Sequence, residues 1–191
     1  MNILIIPEDF RNDQYILKPI IEAMVTELGK PTAKVRVCKD SLLGGVSQAL
    51  KWDNILQIIE RYKGMVDLFL LCVDRDNDVG RKTVLTNIEQ QAQNILPEKK
   101  GFLAENAWQE IEVWVLAGHS LPKNWNWQAI RNESNPKEVY FLPFAKECGV
   151  INEPGEGRKT LANEVVSRYK RIRRICPEDI ANLEGRIKNW L

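Results

Sequence analysis

The sequence holds one histidine, His119. A lone histidine cannot supply the several imidazoles of a His-based zinc site, and no G-x-S-x-G elbow accompanies it. A packing or capping role is expected for it. The four cysteines, Cys38, Cys72, Cys148 and Cys176, form no C-x-x-C pair, which removes zinc-ribbon and thioredoxin-type chemistry. A chain of 191 residues does not need disulfide staples, so buried reduced thiols in a cytoplasmic protein are expected. No apolar run approaches the roughly 20 residues that a membrane-spanning helix requires, and no membrane partner is expected. The first ten residues, MNILIIPEDF, have no basic stretch before the apolar run and no small-residue cleavage site. They read as a first strand and not as a signal peptide. Internal repeats and low-complexity tracts are also missing. GEGRK, residues 155–159, lacks the G-x-x-x-x-G-K-[ST] spacing of a nucleotide-binding loop. Net charge is only +1, so the whole molecule does not attract polyanions; any such attraction must come from a local patch.

What is present is an alternation of short apolar runs and longer amphipathic segments. NILIIP (2–7) reads as a buried parallel strand. From Asp13 to Leu28 the apolar residues recur at helical spacing, with Gly29 at the C-cap position. AKVRVCK alternates apolar and basic residues as a strand with one wet face does. A helical pattern over 44–62 stops at Gly64, and VDLFLLCVD (66–74) is the clearest strand. A third helix is expected over 80–95, ending before Pro97, and GFLAE (101–105) reads as a short strand. Residues 107–119 look helical, 124–136 look like loop, and two further helices are expected at 158–173 and 178–190, the second opened by Pro177. The expected fold is α/β: one domain with a mostly parallel, Rossmann-like sheet flanked by helices, a core over about 1–120 and a helical extension over about 121–191.

Strands of such a sheet point their C-terminal ends to one edge, where ligands bind. Glu8 and Asp9 follow the first strand; Asp74 and Asp76 follow the third. Two carboxylates at i and i+2 of an extended chain point the same way and repel. A divalent cation removes that conflict, and Mg²⁺ or Mn²⁺ on carboxylate oxygens can polarise a phosphodiester and activate a bound water. Asp78 reads as a helix cap. Arg75 and Arg81 read as partners of the aspartates, and Glu112, near Trp108 and Trp114 together with Glu110, is a candidate additional acid.

An acid after the first strand and Asp-x-Asp after the third, here IIPEDF and CVDRDND, resemble the signature of Toprim domains, including the overcoming-lysogenization-defect nucleases. EIEVWVLAG, NPKE and the stretch from Gly157 through RRICPED to Leu183 resemble small stand-alone bacterial Toprim-like proteins, so the resemblance covers most of the chain. It implies that Glu8, Asp74 and Asp76 hold the metal, that Glu8 acts as general acid or base, and that Glu112 assists. Asp9 stands where these families usually carry glycine, and Asp13 lies one residue beyond their next acid.

Between Arg158 and Arg174 the chain carries Arg158, Lys159, Arg168, Lys170, Arg171, Arg173 and Arg174 against one acid, Glu164. Such a segment is a solvated face, a contact for a phosphate backbone, or a dock for an acidic partner protein. Taken together, the residues and the resemblance lead us to expect a divalent-metal-dependent phosphodiesterase, a nuclease on DNA or RNA in phage defence or repair. The competing expectation is a non-catalytic subunit that binds a partner such as a defence-system ATPase. Oligomerisation is compatible with either.

Overall fold

The four strands are the short apolar runs of the N-terminal half: β1 (Asn2–Pro7), β2 (Lys34–Val37), β3 (Leu68–Asp74) and β4 (Gly101–Ala107). All pair in parallel, in the order β2-β1-β3-β4. The computed structural model describes all residues, Met1–Leu191. Parallel strands need long crossovers, and helices supply them. Helix α1 (Phe10–Glu27) carries the chain from β1 outward to β2. The pair α2 (Val46–Ala49) and α3 (Trp52–Tyr62) brings it back across β1 to β3, and α4 (Arg81–Ile95) leads on to β4. Right-handed crossovers in opposite directions place their helices on opposite faces. Accordingly Ile3 and Ile5 of β1 pack with Ile16, Ile20 and Met24 of α1, while Leu4 and Ile6 pack with Ile55, Ile58 and Ile59 of α3 and with Leu85 and Ile88 of α4.

One helix cannot cover its face of a four-stranded sheet. The rest of the α1 face, including Leu68, Leu70, Leu103 and Ala107, is buried by the C-terminal half. That half comprises α5 (Glu112–Gly118), α6 (Trp127–Asn132), α7 (Leu142–Glu147), α8 (Arg158–Val165), α9 (Tyr169–Ile175) and α10 (Asn182–Trp190). Phe141, Leu161, Val165, Ile172 and Ile187 share one hydrophobic core with β1 and α1. The helices after residue 120 therefore complete the core and do not form an appendage to it. Polar bonds tie them down: Arg186 donates to Ala104 O at 2.8 Å and pairs with Glu89 and Glu105.

Several boundaries differ from those expected. Helix α1 starts at Phe10 because the Asp9 side chain accepts from Arg11 N at 3.0 Å as its N-cap. Strand β4 continues to Ala107, since pairing with β3 runs to Asp74↔Ala107. The helix expected over 107–119 is thereby shortened to α5. Residues 124–136, expected as loop, contain α6, capped by Asn126. The pattern over 44–62 breaks between α2 and α3, where the Asn54 amide donates to the carbonyls of Leu42 and Gln48. A 3₁₀ turn at Val166–Arg168 divides the helix expected over 158–173. Cys38, Cys72 and Cys176 are buried free thiols as expected, whereas Cys148 is exposed. His119 is buried, with Nε2 3.0 Å from Leu161 O and its ring against Phe144. No helix is long and apolar enough to cross a membrane.

The approach of α5 to α8 depends on Gly118, where a Cβ would overlap the Val165 side chain. Gly118→Ala is expected to destabilise the protein by about 1–3 kcal/mol through overpacking, read as a lower urea midpoint with an unchanged m-value.

Candidate metal centre

The order β2-β1-β3-β4 reverses direction between β1 and β3. At such a switch point the chain leaves neighbouring strands toward opposite faces, and a crevice opens at their C-terminal ends. Register decides which residues line it. Pro7 of β1 pairs with Cys72 of β3, so Glu8 continues beside the end of β3. Its Oε2 accepts from Asp74 N at 3.2 Å. Asp74 pairs with Ala107, so the residues just after β4 reach the same edge. Carboxylate oxygens of Asp74, Asp76 and Glu110 lie within 4.8 Å of one another. Oxygens this close together are a set that a hard dication could bind.

Backbone geometry holds the arrangement. Asp76 and Asn77 have φ of 52° and 57°, and Gln109 has φ of 73°. Left-handed conformations at non-glycine residues carry a cost, smallest for Asp and Asn. Gln109 offsets it by clamping the two loops together. Its carbonyl accepts from Arg75 N at 2.7 Å and Asp76 N at 3.3 Å. Its side chain accepts from Asn77 N at 2.9 Å and donates to Asn77 Oδ1 at 2.8 Å. The clamp sets Asp76 and Glu110 on facing turns. Asp74 is oriented by Ile111 N, which donates to its Oδ1 at 2.9 Å, and Glu110 by Lys137 N at 2.7 Å.

The acids here hold their protons unusually tightly. Burial raises the pKa of Asp74 well above the usual range, and the charges of Glu112, Glu8 and Asp13 add to the effect. Burial also raises Glu8, against the Asp74 N–H bond that favours its charged form, with Asp76 and Glu112 raising it further. Asp13 is pushed up to about 8, by burial first and then by Glu8 and Glu112. Glu110 is pushed up to about 7, again chiefly by burial. Several carboxyls crowded at one edge are a standing cost that a bound dication would remove.

Arg81 is the cation nearest this cluster. It is buried, its Nη2 lies 3.7 Å from carboxylate oxygens of both Asp76 and Asp78, and its Nε has no hydrogen-bond partner. Both distances exceed a hydrogen bond. The guanidinium is thus near its expected partners without being satisfied by them. Arg75 instead lies over the Trp108 ring, 4.2 Å from its centroid. Asp78 Oδ1 accepts from Gly80 N at 2.8 Å and caps the turn that leads into α4.

Three sequence-derived assignments change: Glu8, expected to hold the metal, lies against Asp74 N but outside the Asp74–Asp76–Glu110 group. Glu112 is buried and its Oε1 accepts from Arg158 Nε at 2.8 Å and Nη2 at 2.5 Å, so that oxygen is engaged, and Glu110 is the acid whose oxygen groups with those of Asp74 and Asp76. Arg158 is itself buried, bound to Glu112, Glu156 and Gly155 O. It is a core ion pair and not a surface phosphate contact. Lys159, Arg168, Lys170, Arg171, Arg173 and Arg174 are exposed. Of these, Lys170 pairs with Glu27, Arg173 with Glu184, and Arg168 donates to Gly118 O. In the sequence Glu110 stands out only as a neighbour of Glu112, and Asp13 only as a departure from a pattern. The signal available for both was position: each lies a few residues past the end of a parallel strand.

No protein-family model, no curated protein and no solved structure gives a significant match to this chain.

Unfolded, Asp13 ionises near 3.8; folded, near 8. Between these values the folded protein holds the extra proton, so the contribution of this group to stability is full below about pH 4 and is lost as pH rises toward 8. In EDTA, Asp13→Asn is expected to flatten the decline of Tm between pH 5 and 8. It should raise Tm at pH 8 by roughly 2–4 °C for each kcal/mol of repulsion removed. Arg158→Met strands the buried Glu112 charge and is expected to cost about 3–5 kcal/mol. By contrast, Arg171→Ala at the exposed surface should stay within about 0.5 kcal/mol; urea denaturation compares the two.

Proposed function

We propose that the chain is a Toprim-like, divalent-metal-dependent phosphodiesterase, acting as a nuclease. One observation carries the reading. Three carboxylates with oxygens within 4.8 Å of one another stand beside a buried guanidinium whose Nε has no partner. The acids suit a hard dication, and the guanidinium suits the anion that such an ion would bring. The donor set consists only of carboxylate oxygens, which favours Mg²⁺ or Mn²⁺ over zinc or copper.

In this reading Asp74, Asp76 and Glu110 would hold the ion. A bound dication would supply polarisation of the phosphoryl group and a water acidic enough to attack it. The chain's own residues do the rest. Glu8, whose oxygen is fixed by the Asp74 N–H and whose proton affinity is raised by burial, accepts the proton of the attacking water. Arg81 donates to a non-bridging phosphate oxygen, where charge accumulates in the transition state. Gln109 is a positioning residue that holds the turns of Asp76 and Glu110 facing each other. Asp9 does not crowd this edge, because its carboxylate is turned into the helix cap on Arg11 N.

The test is cleavage of labelled single- and double-stranded DNA and RNA with Mg²⁺ or Mn²⁺. Metal-dependent hydrolysis is expected, with Asp74→Asn and Glu110→Gln each lowering kcat at least 100-fold. Glu112→Gln should act mainly through stability. Tight binding of Mn²⁺ with no hydrolysis of any of the four substrates would contradict the reading and leave a non-catalytic, partner-binding subunit in its place.

A further inference from the structure

Three clefts adjoin along one side of the molecule. The first, about 470 Å³, is lined by Lys123, Trp125, Trp127, Arg171 and Arg174 among others. The second, about 310 Å³, shares Trp127 and Arg174 with the first and extends to Trp108. The third, about 490 Å³, shares Trp108 and Glu178 with the second and ends at Arg75, Asp78 and Lys82. Asp78 belongs to the turn that carries Asp76. Shared walls make the three clefts one groove, running from α9 to the Asp78 turn, two residues past Asp76, where Glu105 and Glu178 also line it.

Its far end is cationic. The first cleft has three basic residues and no acid in its lining. Lys170 and Arg173, also on α9, are neutralised by Glu27 and Glu184, whereas Lys123, Arg171 and Arg174 form no ion pair. Within α9, the cations without an ion pair, Arg171 and Arg174, are therefore the ones that line the groove. Aromatic rings are set among them in fixed positions. Trp127 Nε1 donates to Ile175 O at 3.3 Å, and Trp125 meets Tyr140 edge-on with centroids 5.0 Å apart. Trp108 lies under the Arg75 guanidinium, and its backbone N–H is held by Asp179 at 2.9 Å. Trp108, Trp125 and Trp127 all keep part of their surface exposed.

We infer that this groove is the path of a single-stranded nucleic acid leading to the acidic cluster. The choice of a nucleic acid as occupant rests on the hydrolase reading above. Phosphates lie along Lys123, Arg171 and Arg174, and bases stack on Trp125, Trp127 and the Arg75–Trp108 pair. Unpaired cations alternating with rigid aromatic platforms are what a flexible polyanion with flat bases requires. An acidic protein surface would use the cations but leave the tryptophans idle. A duplex keeps its bases stacked inside, and clefts of this size admit nucleotide-sized groups and not a double helix.

The experiment is fluorescence anisotropy with fluorescein-labelled single-stranded DNA, single-stranded RNA and duplex DNA in EDTA, so that nothing is cleaved. Single strands are expected to bind tighter than duplex and to quench tryptophan fluorescence. Arg171→Ala/Arg174→Ala should weaken binding at least tenfold and reduce the slope of log K against log salt by about 1.4, the value for two lost single-strand phosphate contacts. Trp127→Phe should lose quenching with less effect on affinity. Unchanged affinity in the double variant, tighter binding of duplex, or polyglutamate bound as tightly as the oligonucleotide would each overturn the inference, the last in favour of an acidic protein partner. The two readings fail separately. Binding without cleavage in Mn²⁺ counts against the hydrolase alone and supports the groove. Cleavage of single strands untouched by the double variant counts against the groove alone.

Discussion

Burial of carboxyls crowded at one sheet edge is the constraint on which the rest of the architecture turns. Glu8, Asp13, Asp74 and Glu110 are each driven toward their protonated forms by burial first and, in every case, by the charge of Glu112 as well. Chains do not gather acids in this way for stability. The protein holds them together with rigid means: the β1–β3–β4 register, the Asp74 N–H on Glu8, and the Gln109 clamp across two left-handed turns. Strain and repulsion concentrated at a topological switch point are the physical marks of a site whose geometry serves a ligand and not the fold.

The C-terminal half serves this edge in two ways. It completes the hydrophobic face that α1 leaves open, with Leu161, Val165 and Ile172 joined to the core of β1 and β3. It also supplies a polar frame around the site. Arg158 neutralises Glu112 directly behind the cluster. Asp179, buried, gathers Trp108 N, Trp114 Nε1 and Arg131 Nη1 at 2.9, 2.7 and 3.1 Å, so the tryptophan beside Arg75 is anchored from the far side. Fold and site thus share residues, and the groove from α9 to β3 follows from the same packing.

Much of this was legible in the sequence. NILIIP and VDLFLLCVD are continuous apolar runs, and such runs between amphipathic segments mean parallel strands whose ends share an edge. That reasoning alone brought Glu8 and Asp74 together. Glu110 was hidden because residues 107–119 have helical apolar spacing throughout. Pairing with β3 overrides that spacing as far as Ala107, and the left-handed Gln109 then turns the chain. A helical reading singles out Glu112; the actual turn brings Glu110 to the cluster. Asp13 was hidden because the helix was placed from that residue onward, whereas the Asp9 cap starts it at Phe10 and brings Asp13 into the first turn above the cluster. The basic segment misled in a different way. Counting charge along the chain cannot see partners distant in sequence, and Arg158 finds Glu112 across 46 positions. Cations that look equivalent in a row differ completely in burial.

The most direct measurement is anomalous diffraction from crystals soaked in Mn²⁺. One strong manganese peak bounded by oxygens of Asp74, Asp76 and Glu110 is expected, and it should be lost in Asp74→Asn. No peak at this edge at millimolar Mn²⁺, or a peak elsewhere with the cluster still protonated, would contradict it.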